Sequence, residues 1–209
     1  QHQDGSSHLI AATIPNCKSY DPAYAGEMAV IIDAGIQDMM VEQKDVFYYV
    51  TLMNENYAQP SLPASAHADV LRGCYRFATY PAGSTAAQVT LMGSGAILNE
   101  VVKAAKALAA EGIATEVYSV TSWSELARDG QACEAAMLAG REAPLPFVAQ
   151  QLGGGTAPIV AATDYVRAVP ETVRAFLPAG RSFLTLGTDG FGRSDTRAAL
   201  RSFFEVDRF

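Results

Sequence analysis

Gln88-Val89-Thr90-Leu91-Met92-Gly93-Ser94-Gly95 runs from a β-branched strand into a glycine turn. From Ala96 to Glu111, Val101, Val102, Ala105, Leu108 and Ala109 recur at helical spacing, and Gly112 supplies the stop. Thr115 to Val120 then reads as strand again. Strand, helix, strand in this order calls for a crossover that returns over a sheet, which places the region in the α/β class.

Working outward, Ser122-Trp123-Ser124-Glu125 has capping-box spacing and opens a helix expected to reach Leu138. Phe147-Val148-Ala149 and Ile159-Val160-Ala161-Ala162 read as strands on either side of Gly153-Gly154-Gly155. Asp164 to Phe176 reads as a helix bent at Pro170, which has no amide to donate. Ser182 to Leu186 reads as a last strand, and Ser194 as the cap of a closing helix through Leu200 and Phe203. The expectation is a three-layer, mainly parallel α/β domain over 86–209.

Upstream, Gln59-Pro60-Ser61-Leu62-Pro63-Ala64-Ser65-Ala66 has the composition of a linker, so 58–85 is read as linker and lead-in to the second domain. Residues 1–57 then form part of a separate α/β unit. There, Ile14-Pro15 is expected to be extended. Asp21 and Pro22 suit the start of a helix whose Tyr24, Met28, Ile31, Ile32, Ile36 and Met39 repeat at helical spacing to near Met40. Val46 to Leu52 reads as a buried strand. Asn54, Glu55 and Asn56 follow its C-terminal end, where such sheets line ligand crevices, and are substrate-entrance candidates as well as an ordinary polar strand exit.

The chain has 209 residues, 49% hydrophobic and 18% charged, enough for a sizeable core and unlike a disordered sequence. A net charge of −7 with no Lys/Arg cluster excludes a nucleic-acid footprint. Cys17, Cys74 and Cys133 lie far apart outside any CxxC spacing, so they are expected to be reduced and half-buried, forming neither disulfide nor zinc site. No apolar run has the length of a membrane span, and the polar start has no signal-peptide pattern, which points to the cytoplasm. The missing initiator Met and the apolar end Phe203 to Phe209 point to a piece of a longer chain.

Chemistry concentrates at Gln1-His2-Gln3-Asp4-Gly5-Ser6-Ser7-His8, which is read as a polar loop. Two of the chain's three histidines stand there beside a carboxylate. Imidazoles next to a carboxylate suit general acid/base work or oxyanion binding, and a surface loop is the alternative. His67 has no metal-ligand partner in its neighbourhood and reads as a surface residue. Gly93-Ser94-Gly95 is not a dinucleotide fingerprint, because Leu98 stands where the third glycine would be. Arg193, among the glycines of Asp189-Gly190-Phe191-Gly192-Arg193-Ser194-Asp195, is read as a domain or subunit contact.

Four separated stretches carry a resemblance: Leu9 to Glu27 with its Ile14-Pro15-Asn16, Thr51 to Tyr57, Ser119 to Gly130, and Leu186-Gly187-Thr188-Asp189-Gly190-Phe191-Gly192-Arg193-Ser194-Asp195. In that order they resemble the C-terminal part of the homodimeric bacterial pyruvate dehydrogenase E1 components, members of the transketolase-like thiamine diphosphate enzymes. The resemblance implies that 1–57 is the tail of the pyrimidine-binding domain and 86–209 a truncated transketolase C-terminal-like domain. It implies thiamine diphosphate and Mg2+ in the parent, with the diphosphate and metal motif and the activating glutamate lying upstream, so that this piece alone is expected to be inactive. It further implies a homodimer that oxidatively decarboxylates pyruvate and acetylates the lipoyl group of the E2 dihydrolipoyl acetyltransferase.

In the same resemblance, a Gly-x-x-His motif before a Leu-Pro-Asn supplies an active-site histidine. His2 has that spacing from Ile14-Pro15-Asn16, so the role falls to His2, with Asp4 and His8 in support. Gln3 and Ser6 depart from the acidic residue and further histidine expected in that loop, which leaves another short 2-oxo acid such as 2-oxobutanoate as an alternative substrate, and a non-catalytic dimerisation or docking module as an alternative function.

Overall fold

The computed structural model describes residues 4–209. Its larger sheet is built from β3 (Cys74–Tyr80), β4 (Val89–Gly93), β5 (Thr115–Val120), β6 (Ile159–Ala162) and β7 (Phe183–Leu186), in the order β3-β5-β4-β6-β7. Pairing is parallel throughout except at β3, which runs antiparallel to β5 with a register shift between Arg76 and Ala78.

Side chains of the inner strands alternate between two cores, as the pleat requires. Met92, Tyr118, Val120, Ile159 and Ala161 pack with Trp123, Leu126 and Ala127 of α5 (Trp123–Leu138) and with Phe147, Val148 and Leu152 of α6 (Phe147–Leu152). Leu91, Val117 and Ala162 pack on the opposite face with Leu98, Val101 and Ala105 of α4 (Leu98–Ala110). Helices therefore cover both faces, and the expected three-layer, mainly parallel architecture is the one observed.

Local signals explain where most of these elements start and stop. Ser122 caps α5 by accepting the Glu125 amide at 3.1 Å, and Gly112 ends the α4 segment at φ +80°. Gly93 lets α4 lie close to the sheet, since a Cβ there would stand 2.9 Å from Val101 Cγ2 and 3.0 Å from Leu98 Cα.

Five expectations need correction. Phe147-Val148-Ala149 is helical, because Asp129 of α5 accepts the Phe147 amide at 2.6 Å and fixes a helix start after Pro146. A short, wholly buried apolar run does not by itself distinguish strand from helix. Asp164 to Phe176 is broken into α7 (Ala168–Glu171) and a 3-10 turn at Arg174–Phe176, since 164–167 is bound to neighbouring loops instead. The closing helix, α8 (Arg197–Phe203), is capped by Thr196 rather than Ser194. The sheet also begins before residue 86: β3 and α3 (His67–Arg72), which carries exposed His67, lie within the stretch read as linker and lead-in. The three cysteines are free but buried rather than half-buried.

The N-terminal unit contains a two-stranded parallel sheet, β1 (Cys17–Tyr20) with β2 (Phe47–Val50), beside α2 (Ala25–Ile36), which widens into a π-helical turn at Gln37–Val41. Asp21 is not the helix cap. Glu27 folds back to accept the amides of Ala23 and Tyr24 at 2.6 and 3.1 Å, and the helix begins at Ala25. β2 is not the buried strand expected either: Phe47 is exposed and its neighbours half-buried, because only β1 flanks it.

The two units meet at the C-terminal ends of β1, β4 and β5. Asp21 N donates to Thr121 O at 2.8 Å, Gly95 N to Asp21 O at 2.9 Å, and Ser122 Oγ to Ser19 O at 2.6 Å. Glu27, fully buried, ties Tyr75 and Ser119 of the larger sheet to the start of α2.

Candidate active site

C-terminal strand ends from both sheets deliver polar side chains to one place, the usual location of ligand crevices in parallel sheets. β1 leads into Asp21, β2 into Thr51, β4 into Ser94, and β6 into Thr163, Asp164 and Tyr165. His8 reaches the cluster from α1 (Ser7–Ala12).

His8 does not lie in a loop. Asp4 Oδ1 accepts the amides of Ser6 and Ser7 at 3.2 and 3.0 Å, and this turn launches α1. The helix carries His8 inward to 8% exposure. Its ring stands edge-on to Tyr49 and Tyr165, with centroids 5.5 and 4.7 Å away. The carbonyl of Gly5 accepts the Val166 amide at 3.0 Å, tying this turn to the segment after β6.

His8 Nε2 is 2.8 Å from Thr51 Oγ1, and Thr51 Oγ1 is 2.8 Å from Asp21 Oδ1. Burial lowers the His8 pKa to about 4, offset in part by the Asp4 charge, so the ring is neutral at physiological pH. Burial pushes Asp21 up to about 7; Thr51 and Ser94 temper that rise, whereas the charges of Asp164 and Glu27 add to it. Ser94 lies near, yet its hydroxyl pairs with Thr163 Oγ1 at 3.1 Å, and Asp21 Oδ2 has no hydrogen-bond partner among the described residues.

Gly95 makes room for this carboxylate. At φ +52°, a Cβ on it would lie 2.5 Å from Asp21 Oδ2. The glycine turn ahead of α4 thus accommodates the chain's own carboxylate. Asp164 is half-buried, with Oδ2 out of water and also without a partner among the described residues, and desolvation raises it to about 6 against the pull of Arg201 and Arg197.

The structure therefore brings Asp4 and His8 together but assigns Asp4 to holding the helix start. His2 lies outside the described residues. Asn54 and Glu55 are occupied elsewhere: Glu55 takes both Arg201 nitrogens at 2.6 and 3.2 Å, and Arg197 of α8 contacts the Asn54 side chain and its carbonyl. Asn56 is exposed. Asn54 and Glu55 thus pin the closing helix. Arg193 lies over the Phe203 ring at 4.7 Å, and Asp189 pairs with Arg167. Asp21 and Thr51 fall inside two of the stretches that carry the resemblance and Ser94 inside the glycine turn, but no spacing singled out these side chains or Asp164 as a site; Asp21 and Thr51 each directly follow a strand. Among the described residues, no three His, Cys, Asp or Glu are grouped to hold a metal ion.

The model of the transketolase-like C-terminal domain matches residues 73–207, and that of the pyruvate dehydrogenase E1 component middle domain matches residues 1–60. The chain belongs to the transketolase-like family. It is 48% identical over its whole length to the pyruvate dehydrogenase E1 component of Pseudomonas aeruginosa and 49% identical over 99% of its length to that of Escherichia coli K12. It spans 24% and 23% of those two proteins, about a quarter of each. Among solved structures, transketolase from Leishmania mexicana superposes with a TM-score of 0.68 at 19% identity, over 99% of this chain and 26% of that one. A split-gene transketolase, titled an inactive β4 tetramer, does so at 0.60 and 17% identity, over 99% of this chain and 59% of that one. At such identities these two show the transketolase-like fold alone.

Proposed function

We propose that this chain is part of the E1 component of a pyruvate dehydrogenase complex, whose full-length form decarboxylates pyruvate and passes the acetyl group to the lipoyl group of the E2 dihydrolipoyl acetyltransferase. The observation that carries this reading is 48% identity to an E1 component over the whole chain, with the middle and C-terminal domain models matched in sequence order. On this reading 1–60 is the tail of the pyrimidine-binding domain, the C-terminal domain has begun by residue 73 with β3 as its first strand, and the linker is confined to the short stretch between them. The parent is a cytoplasmic homodimer. No helix among the described residues is long and apolar enough to cross a membrane.

Thiamine diphosphate, with Mg2+, supplies the electron sink for loss of CO2 from a 2-oxo acid. The described residues offer no metal ligand set, so the metal end of that cofactor falls to the remainder of the parent, and this piece alone does not turn over. What this chain contributes is hydrogen bonding and proton exchange from His2 and His8. An uncharged, buried imidazole can donate to or accept from an oxygen without the cost of burying a charge.

The test is pyruvate-dependent reduction of an artificial electron acceptor by the full-length parent, with and without thiamine diphosphate and Mg2+, alongside His2→Ala and His8→Ala. Cofactor-dependent turnover that falls in folded variants is the expected result. Turnover with 2-oxobutanoate in place of pyruvate overturns the substrate assignment. Silence with every 2-oxo acid leaves the second reading, a dimerisation or docking module, which the exposure of Ile32, Ile36 and Met40 along one stripe of α2 and its π turn favours.

A further inference from the structure

His8 is buried too deeply to carry a proton as an imidazolium, yet it is hydrogen-bonded into a chain that ends on a carboxyl group. We propose that Thr51 and Asp21 are positioning residues for His8, with Asp21 storing a proton that the Thr51 hydroxyl relays to or from the ring. Its use in catalysis rests on the E1 reading; the relay itself does not.

The geometry allows two proton arrangements. Thr51 has a single hydroxyl proton, and its oxygen stands 2.8 Å from both His8 Nε2 and Asp21 Oδ1. With Asp21 ionised, the hydroxyl donates to Oδ1 and Nε2 must carry the ring proton to donate to Thr51, so Nδ1 is the bare nitrogen. When Nδ1 takes up a proton from outside, the Nε2 proton passes to Thr51 Oγ1 and the Thr51 proton passes to Oδ1. Asp21 is then neutral and donates to Thr51, Thr51 donates to Nε2, and the ring is neutral with its proton on Nδ1. One proton has been gained, and no imidazolium persists at the end of the transfer.

Three further observations favour this arrangement over a proton on the other carboxyl oxygen. Oδ2 has no hydrogen-bond partner among the described residues, so a proton there would be a buried donor that none of them satisfies, whereas on Oδ1 it has Thr51 to bond. The competing backbone acceptor for the Thr51 hydroxyl, Tyr20 O, is more distant at 3.4 Å, and the Tyr165 phenol is a further side-chain partner within reach of Thr51. The two ends are also matched to opposite tasks: burial disfavours charge on His8, and Asp21 titrates near 7.

The groups facing the relay are Asp4 before α1, Tyr49 on β2, Ser94 after β4, Asp164 and Tyr165 after β6, and Glu27 on α2. Tyr165, raised by burial beyond the physiological range, stays a neutral phenol. Asp164, at about 6, is the neighbour whose ionisation opposes that of Asp21 most directly.

The experiment uses the full-length protein with 15N-labelled histidine, the His8 signals being assigned by their loss in His8→Gln. The wild type should show the Nδ1–H tautomer in acid and the Nε2–H tautomer in base, crossing near pH 7. Asp21→Asn, whose carboxamide can donate to or accept from Thr51 but does not titrate, should hold a single His8 tautomer throughout and lose the crossing near pH 7. Thr51→Val should abolish the crossing, and Thr51→Ser should restore it. In turnover, Thr51→Val should lower kcat about ten-fold with KM unchanged and flatten the pH limb near neutrality, with serine recovering to within about two-fold. A single tautomer at all pH values in the wild type, or a crossing that survives in Thr51→Val, overturns the relay. If Thr51→Val fails to fold, the serine and asparagine variants still decide it. Absence of turnover with every 2-oxo acid in the wild type overturns the E1 reading, while the nitrogen spectra still judge the relay.

Discussion

Glu27 and Asp21 are two carboxylates buried where the same two sheets meet, and they are treated in opposite ways. Glu27 Oε1 accepts the hydroxyls of Tyr75 and Ser119 at 2.8 and 2.6 Å, and Oε2 accepts the amides of Ala23 and Tyr24 at 2.6 and 3.1 Å. Asp21 has the Thr51 hydroxyl on one oxygen and no partner among the described residues on the other. Burial alone does not decide what a buried carboxyl does; the number of donors aimed at it does. Saturated with donors, the group joins two units. Starved of them, it keeps a proton near neutral pH and becomes available for chemistry.

Removing the saturated group should break the junction most severely. Glu27→Ala leaves buried donors facing no acceptor, at about 1–3 kcal/mol each, and should cost about 3–5 kcal/mol by chemical denaturation of the full-length protein. A loss below about 1 kcal/mol would mean that Glu27 is not the tie between the units.

Asp21 should show the reverse dependence on conditions. Its native pKa of about 7 lies above the ordinary 3.8, so the native state retains a proton that the unfolded chain releases. Stability from this group is present below pH 3.8 and is lost as pH rises to about 7. The difference amounts to about 4 kcal/mol at most. Asp21→Asn should remove that decline, leaving a variant more stable relative to wild type at pH 8 than at pH 4, as denaturant midpoints at both pH values would reveal.

His8 opposes Asp21 within the same window. Its native pKa of about 4 lies below 6.5, so the unfolded chain binds the proton first and stability is lost as pH falls from 6.5 to about 4. That slope is worth about 3 kcal/mol, nearly cancelling the Asp21 slope in the wild type. His8→Gln should unmask the carboxyl contribution, so that the variant gains stability on acidification from neutrality where the wild type changes little.

The smallest effect should come from a charge network outside the junction. Arg201→Leu leaves Glu55 only the 3.9 Å pair with Arg197 of α8 and leaves Glu100 with Lys103 and Arg208, costing about 1–2 kcal/mol, less at high salt. If it matched Glu27→Ala, the distinction between junction and periphery would fail.

Much of the larger domain was legible along the chain. The repeat from Leu98 to Ala110, the stop at Gly112, the Ser122 cap and the β-branched runs of β4 to β7 are local signals with local causes. β3 gave no such signal: Cys74 to Tyr80 alternates weakly, and its antiparallel place depends on pairing with β5 more than thirty residues later. The site was legible only in part. His8 and Asp4 stood out as chemical residue types, but nothing in Val50-Thr51-Leu52 or Ser19-Tyr20-Asp21 distinguishes a relay from a strand exit.

The sequence by itself determined the class of fold, the family resemblance and the histidine-rich start, because periodicity, capping and turn chemistry act over a few residues. Only the tertiary structure decided that Asp21 is buried beside Thr51 rather than capping a helix, that Asp4 accepts the amides that start α1, and that Asn54 and Glu55 hold α8. Those roles depend on which donors arrive from distant strands and on how much water is excluded. Neither quantity exists until the two sheets have met.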